Sequence, residues 1–197
     1  MHAIAVALLL GLLTAAEGGQ PAPTAADSRP TEAWGWIEEP GFRTEFPVGA
    51  KSQDQKVDTQ LGPMTIKTLV FEDQERAVVF SYTDMPQALV DQVLPFKLLD
   101  GGRDGALANV GAKADRELQG VVESGTAGRV WPSRRISATG PKGVRLELFL
   151  CLAGARLYQV VEVRPGGSVE AWRIDRVVSS LKLREPRRAS AEAEKGP

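Results

Sequence analysis

The residues best suited to chemistry at neutral pH are almost absent from this chain. Histidine occurs once, at His2, and cysteine once, at Cys151. Ser-His-Asp triads, Cys-His pairs and imidazole metal sites need a near-neutral pKa or a ring nitrogen that only histidine supplies. His2 precedes an apolar run that reads as a leader, so cleavage leaves a chain with no imidazole. Cys151 sits between Leu150 and Leu152, the setting of a small buried hydrophobe rather than a reactive thiolate. A lone cysteine closes no internal disulfide, so stability has to come from a packed core.

Other motifs are weaker. Gly101 to Gly105 (GGRDG) lacks the Lys-Ser or Lys-Thr of a phosphate loop and the G-x-G-x-x-G spacing. Its glycines read as a helix face held close to a sheet. Asp100 and Asp104 share one helical face without a calcium-loop pattern, and with Lys97 and Arg103 nearby they read as a solvated face. Arg129, Arg134, Arg135, Lys142 and Arg145 form a local basic stretch, a tentative interaction surface for an acidic partner. Trp34 and Trp36 read as a hydrophobic plug over a sheet end, with an aromatic docking surface as the alternative. No catalytic, cofactor-binding or metal-ligating residue is assigned.

The elements that position these residues follow from periodicity. Phe42 to Phe46 is a short strand, Lys51 to Thr59 a polar edge strand, and Met64 to Phe71 and Arg76 to Thr83 form a hairpin through Glu72 to Glu75. Val78, Phe80 and Tyr82 share one face. Asp84 is read as the N-cap of a helical region opened by Pro86. Phe96, Leu99, Ala106, Leu107 and Val110 have helical spacing, ended by Gly111. Val144 to Leu152 alternates, turns at Ala153-Gly154 and returns through Arg164. A two-residue turn there sets Leu146 opposite Val161, Leu150 opposite Leu157, Phe149 opposite Tyr158 and Arg145 opposite Glu162. Ser168 is read as the cap of a last helix carrying Val169, Trp172, Ile174, Val177, Val178 and Leu181. The fold class is α+β, an antiparallel sheet flanked by helices.

Ala3 to Leu13 is an uninterrupted apolar run, too short to span a bilayer, and Thr14-Ala15-Ala16 supplies small residues for a cut after Ala16. Residues 1–16 are expected to be a signal peptide, 17–33 a flexible linker, 34–183 one α+β domain and 184–197 a disordered tail. That places the mature chain in a secreted or periplasmic setting with no stable membrane anchor. The 197 residues carry 24 basic against 25 acidic side chains, a balance that gives no pull toward nucleic acid.

Four segments, Phe80 to Pro86, Leu98 to Gly111, Ala138 to Val163 and Asp175 to Leu183, resemble an uncharacterised secreted bacterial family with the PsbP-like α/β/α sandwich fold. The resemblance spans Phe42 to Leu183 and brings no catalytic residues. Residues 118–135 depart from it, with Trp131-Pro132 where a regular strand start is expected. It implies a non-catalytic module that binds another protein. Two other readings are weighed beside it. One is a carrier of a small apolar ligand lined by Leu148, Val161 and Trp172. The other is a hydrolase using carboxylates alone.

Overall fold

The computed structural model describes residues 33–59, 62–73, 76–123, 128–166 and 173–184. Strands β1 (Trp34–Glu39), β2 (Phe42–Pro47), β3 (Lys51–Thr59), β4 (Gly62–Glu72) and β5 (Ala77–Asp84) come first. Helices α1 (Gln87–Gln92) and α2 (Pro95–Asn109) follow, then β6 (Lys113–Glu123), β7 (Val130–Thr139), β8 (Arg145–Ala153) and β9 (Arg156–Arg164). Helix α3 (Arg173–Ser180) and β10 (Lys182–Leu183) close the described chain. The main sheet has seven strands in the order β3-β4-β5-β9-β8-β7-β6, and a second has three, β1-β2-β10. Every strand pair is antiparallel. The fold is α+β, with helices on both faces of an antiparallel sheet.

Alternation along the strands divides the core in two. Val79, Ile136, Leu146, Leu148, Leu150, Leu157 and Val161 point to a first face and pack against Leu98, Leu99, Ala106 and Leu107 of α2. Each such buried valine, leucine or isoleucine contributes about 1.5 to 3 kcal/mol relative to exposure. Gly102 lies in this contact, and a Cβ built there would stand 3.5 Å from Leu157 and 3.6 Å from Leu150. Val78, Phe80, Phe149, Tyr158 and Val160 point to the second face, under α3 and the small sheet. Phe42, Phe80, Tyr82 and Tyr158 form an aromatic cluster there, with ring centroids 4.8 to 6.5 Å apart. Thr44 donates to the Val177 carbonyl at 2.8 Å, and Ser180 accepts from the Glu45 amide at 2.9 Å, fixing α3 on β2.

Four expectations are corrected. Asp84 is not an N-cap: it ends β5, and its carboxylate takes both Nε and Nη2 of Arg156 at 2.6 and 2.8 Å. The residue before α1 is Pro86, with no side-chain cap. The β8–β9 register is displaced by two residues, so Leu146 faces Val163, Leu148 faces Val161, and Arg145 faces Arg164. The loop is Gly154-Ala155, with Gly154 at φ +62°, the glycine-first arrangement tight hairpins favour. A two-residue slip keeps every side chain on its face, which is why the faces were read correctly and the pairs were not. Trp131 and Pro132 belong to a regular strand, β7, with Pro132 opposite Val121. Asp100 is not simply solvated, as the ion pairs below show.

Residues 1–16 lie outside the described residues, as do 17–33 apart from Ala33 and 184–197 apart from Arg184; Ser168 and Trp172 also fall outside them. Among the described residues no helix is long and apolar enough to cross a membrane.

Candidate binding cleft at the uncovered end of the sheet

Strand β6 is an edge of the main sheet, and its local sequence sets its shape. Ala114 pairs with Ala138, but the next pair is Arg116 with Ser137, so Asp115 is an inserted residue. The bulge is pinned by Thr139, whose hydroxyl donates to Asp115 Oδ2 at 2.7 Å. Its effect is to turn Arg116 onto the second face, beside Ser137 rather than Ile136. Leu118 then faces Arg135, and Gly120 faces Ser133.

Among the described residues, α3 packs mainly over β2, β9 and β8 and reaches this end through Asp175. The space left is a cleft of about 280 Å³ lined by Arg116, Leu118, Arg135, Ser137 and Glu147. Glu147 is buried and both its oxygens are engaged: Ser137 Oγ donates to Oε1 at 2.5 Å and Arg135 Nε to Oε2 at 3.2 Å. Arg135 also reaches Asp175 on α3 at 2.6 Å. Burial opposes its charge, but the hydrogen bonds to Asp175 and Glu147 outweigh it and raise its pKa. Arg116 is exposed and has no ion pair or hydrogen-bond partner among the described residues. The cleft thus has a floor in which one guanidinium is shared by two carboxylates, an apolar wall at Leu118, and one cation at its rim.

The next row inward brings two carboxylates together, since Glu147 faces Glu162. Glu162 has no exposed surface, and its Oε2 accepts the Ile174 amide at 2.8 Å at the start of α3. Burial raises its pKa against the opposing pull of that hydrogen bond and of Arg76, Arg164 and Arg173. Carboxylate-pair hydrolysis needs both groups open to one substrate. Glu162 instead serves as an acceptor at the positive end of a helix. Among the described residues no three of His, Cys, Asp and Glu converge as a metal site.

The five basic residues read from sequence do not form one surface. Arg134 and Arg135 are strand neighbours and point to opposite faces. Arg134 is buried beneath α2, bound to Asp100 at 2.6 Å and to Glu117, with the Phe96 ring 5.4 Å away. Arg103 joins Asp100 and Glu117 in the same cluster. Arg145 is paired with Thr139 at one end of β7, whereas Arg129 precedes the other end. Ten residues of strand put those ends about 30 Å apart. Lys142 sits in a 3₁₀ turn, Pro141–Gly143, with φ +57°.

Sequence reasoning missed Arg116, Leu118, Ser137 and Glu147 as one site. The signal was present in the alternation Arg116, Leu118, Gly120, Val122, but the bulge at Asp115 ahead of it shifts the face on which that alternation falls. Leu148 and Val161, offered as lining a ligand cavity, are core residues at 0% and 1% exposure. Trp34 and Trp36 form part of β1; Trp36 is half exposed with Arg43 stacked 4.1 Å above it, and Trp34 lies under Arg176.

No family model and no curated protein matches the chain. The solution structure of the cyanobacterial PsbP protein CyanoP from Synechocystis sp. PCC 6803 is similar at a TM-score of 0.47 and 10% identity, covering 82% of this chain and 98% of that one.

Proposed function

We propose that this protein is a non-catalytic accessory protein of the secreted or periplasmic space that acts by binding another protein. The observation that carries the reading is the state of β6. It is exposed along most of its length, and Leu118 and Val121, on opposite faces, are 47% and 60% exposed. The other edge, β3, reads KSQDQKVDT, and its one large apolar side chain, Val57, is partly buried against Met64 and Ile66. An edge bearing apolar side chains beside a structured cleft has the character of an interaction surface. The leader-like segment Ala3 to Leu13 supports the location.

The test is capture from an extract of the source cells with two immobilised full chains, the wild type and a Leu118→Asp/Val121→Asp variant. A protein retained by the wild type and lost by the variant supports the reading. Capture of the same set by both, or of nothing, overturns it. Thermal unfolding of the variant shows that the loss is not loss of fold.

A further inference from the structure

The reading of β6 as part of a protein-binding surface leaves open how a partner docks, and the geometry points to the answer. We propose that β6 accepts an extended segment of a partner protein as an eighth strand, and that the segment carries a carboxylate on the cleft side. This inference rests on the protein-binding reading and adds its mode and chemistry.

Three observations converge on it. First, among the described residues β6 pairs only with β7, so the backbone groups of its outer edge have no partner strand. Beyond the bulge, Arg116 to Glu123 pairs with β7 without interruption, giving eight residues of regular template. Second, both faces flanking that edge are accessible. On the second face lies the cleft, and on the first Val121 and Val130 are exposed next to the half-buried Pro132. An added strand alternates its side chains between these faces. Third, the charges are unequal in engagement. Glu117 is held by Arg103 and Arg134, and Glu147 by Ser137 and Arg135, whereas Arg116 has no partner. A residue opposite Arg116 on an added strand would stand about 5 Å from it at Cβ. A carboxylate there pairs with Arg116, and a cation there meets the like charge of Arg116, since Arg135 is already held by Glu147 and Asp175.

The complement is therefore a short extended stretch with β-branched apolar residues on one side and an acidic residue on the other. A peptide lacking that acid forfeits the Arg116 pair, and one with a lysine in its place is repelled.

The experiment uses the full chain and a peptide labelled at its amino terminus, fluoresceinyl-Thr-Val-Glu-Val-Leu-Val-Thr-amide. Its companions carry lysine in place of glutamate, or N-methyl groups on alternate backbone amides. Anisotropy should show saturable binding of the glutamate peptide, weakened by salt and abolished by N-methylation in one of the two alternate sets. Arg116→Glu should bind it about tenfold more weakly and prefer the lysine peptide. Arg116 is exposed and unpaired, so this variant should fold as the wild type does, which circular dichroism checks. Equal binding of the two peptides, indifference to N-methylation in both sets, or no binding overturns the proposal. So does a concentration-dependent dimer dissolved by Arg116→Glu, which would give the edge to a second copy. If these fail while the Leu118/Val121 variant still loses its captured partner, the strand-addition mode falls and the protein-binding reading stands.

Discussion

Glu147 and Glu162 face each other on β8 and β9, yet their carboxylates serve different neighbours. Glu147 turns to Ser137 and Arg135 at the cleft floor, and Glu162 turns to the Ile174 amide. Like charges directly opposite on a sheet repel. Here each is absorbed by its own set of donors, so one acidic row both floors the cleft and seats α3.

Glu162 makes stability depend on pH. Its folded pKa is raised above the ordinary 4.5, chiefly by burial. Between those two values the native state holds more proton than the unfolded chain, so this group's contribution favours folding below the window and is lost as pH rises through it. Glu162→Gln keeps an acceptor for Ile174 and removes the titration. The melting temperature of the variant minus that of the wild type should become more positive from about pH 4 to about pH 8. A flat or falling difference in thermal melts would contradict the assignment.

Arg134 anchors α2 to β6 and β7. Removing one member of a buried charge cluster leaves the others uncompensated, at a cost of about 3 to 5 kcal/mol. Arg134→Ala should fall near the lower end, because Asp100 and Glu117 keep about a quarter of their exposure. Arg134→Met, which keeps the contact with Phe96, should lose less. Urea denaturation measures both; a loss below about 0.5 kcal/mol for the alanine variant would mean the cluster is merely solvated charge.

Two glycines should respond in opposite directions. At Gly102 an added methyl meets only ordinary contacts, and alanine is the better helix former by about 1 kcal/mol, so Gly102→Ala should stabilise. At Gly41, φ is +101° and a Cβ would approach Arg156 Nη1 to 2.8 Å and the Tyr158 hydroxyl to 3.1 Å. Gly41→Ala should destabilise by about 1 to 3 kcal/mol. Equilibrium unfolding of the pair decides it, and the same sign for both would contradict the packing described.

Cys151 is fully buried, and burial pushes its thiol up to about 12. Iodoacetamide at neutral pH should leave the native protein unlabelled and modify it only as it unfolds. Rapid labelling under native conditions, followed by mass spectrometry, would show that β8 opens locally.

The strongly alternating hairpin of β8 and β9 was legible, because its aliphatic face from Leu146 to Leu152 admits no other assignment. Its register was not, because a two-residue slip preserves that face and only the loop at Gly154 chooses between the pairings. Helix α2 was legible from its apolar stripe, and of its glycines Gly102 lies against the sheet, beside Leu150 and Leu157. The cleft escaped because β6 is mostly polar, with Leu118 alone forming the apolar wall, and the bulge at Asp115 shifts its face assignments by one residue. The same gap misled the reading of Arg134 and Arg135: without strands assigned there, adjacent arginines read as one patch rather than as residues on opposite faces.

The β6 end of the sheet is the proposed binding surface. A photo-crosslinking amino acid placed at Leu118 in the full chain, expressed in the source cells, reads it directly, with the same probe at Gln53 on the opposite edge as control. The account predicts one discrete crosslinked protein from position 118 and none from position 53. Matching products from both positions, or none from 118, would contradict it.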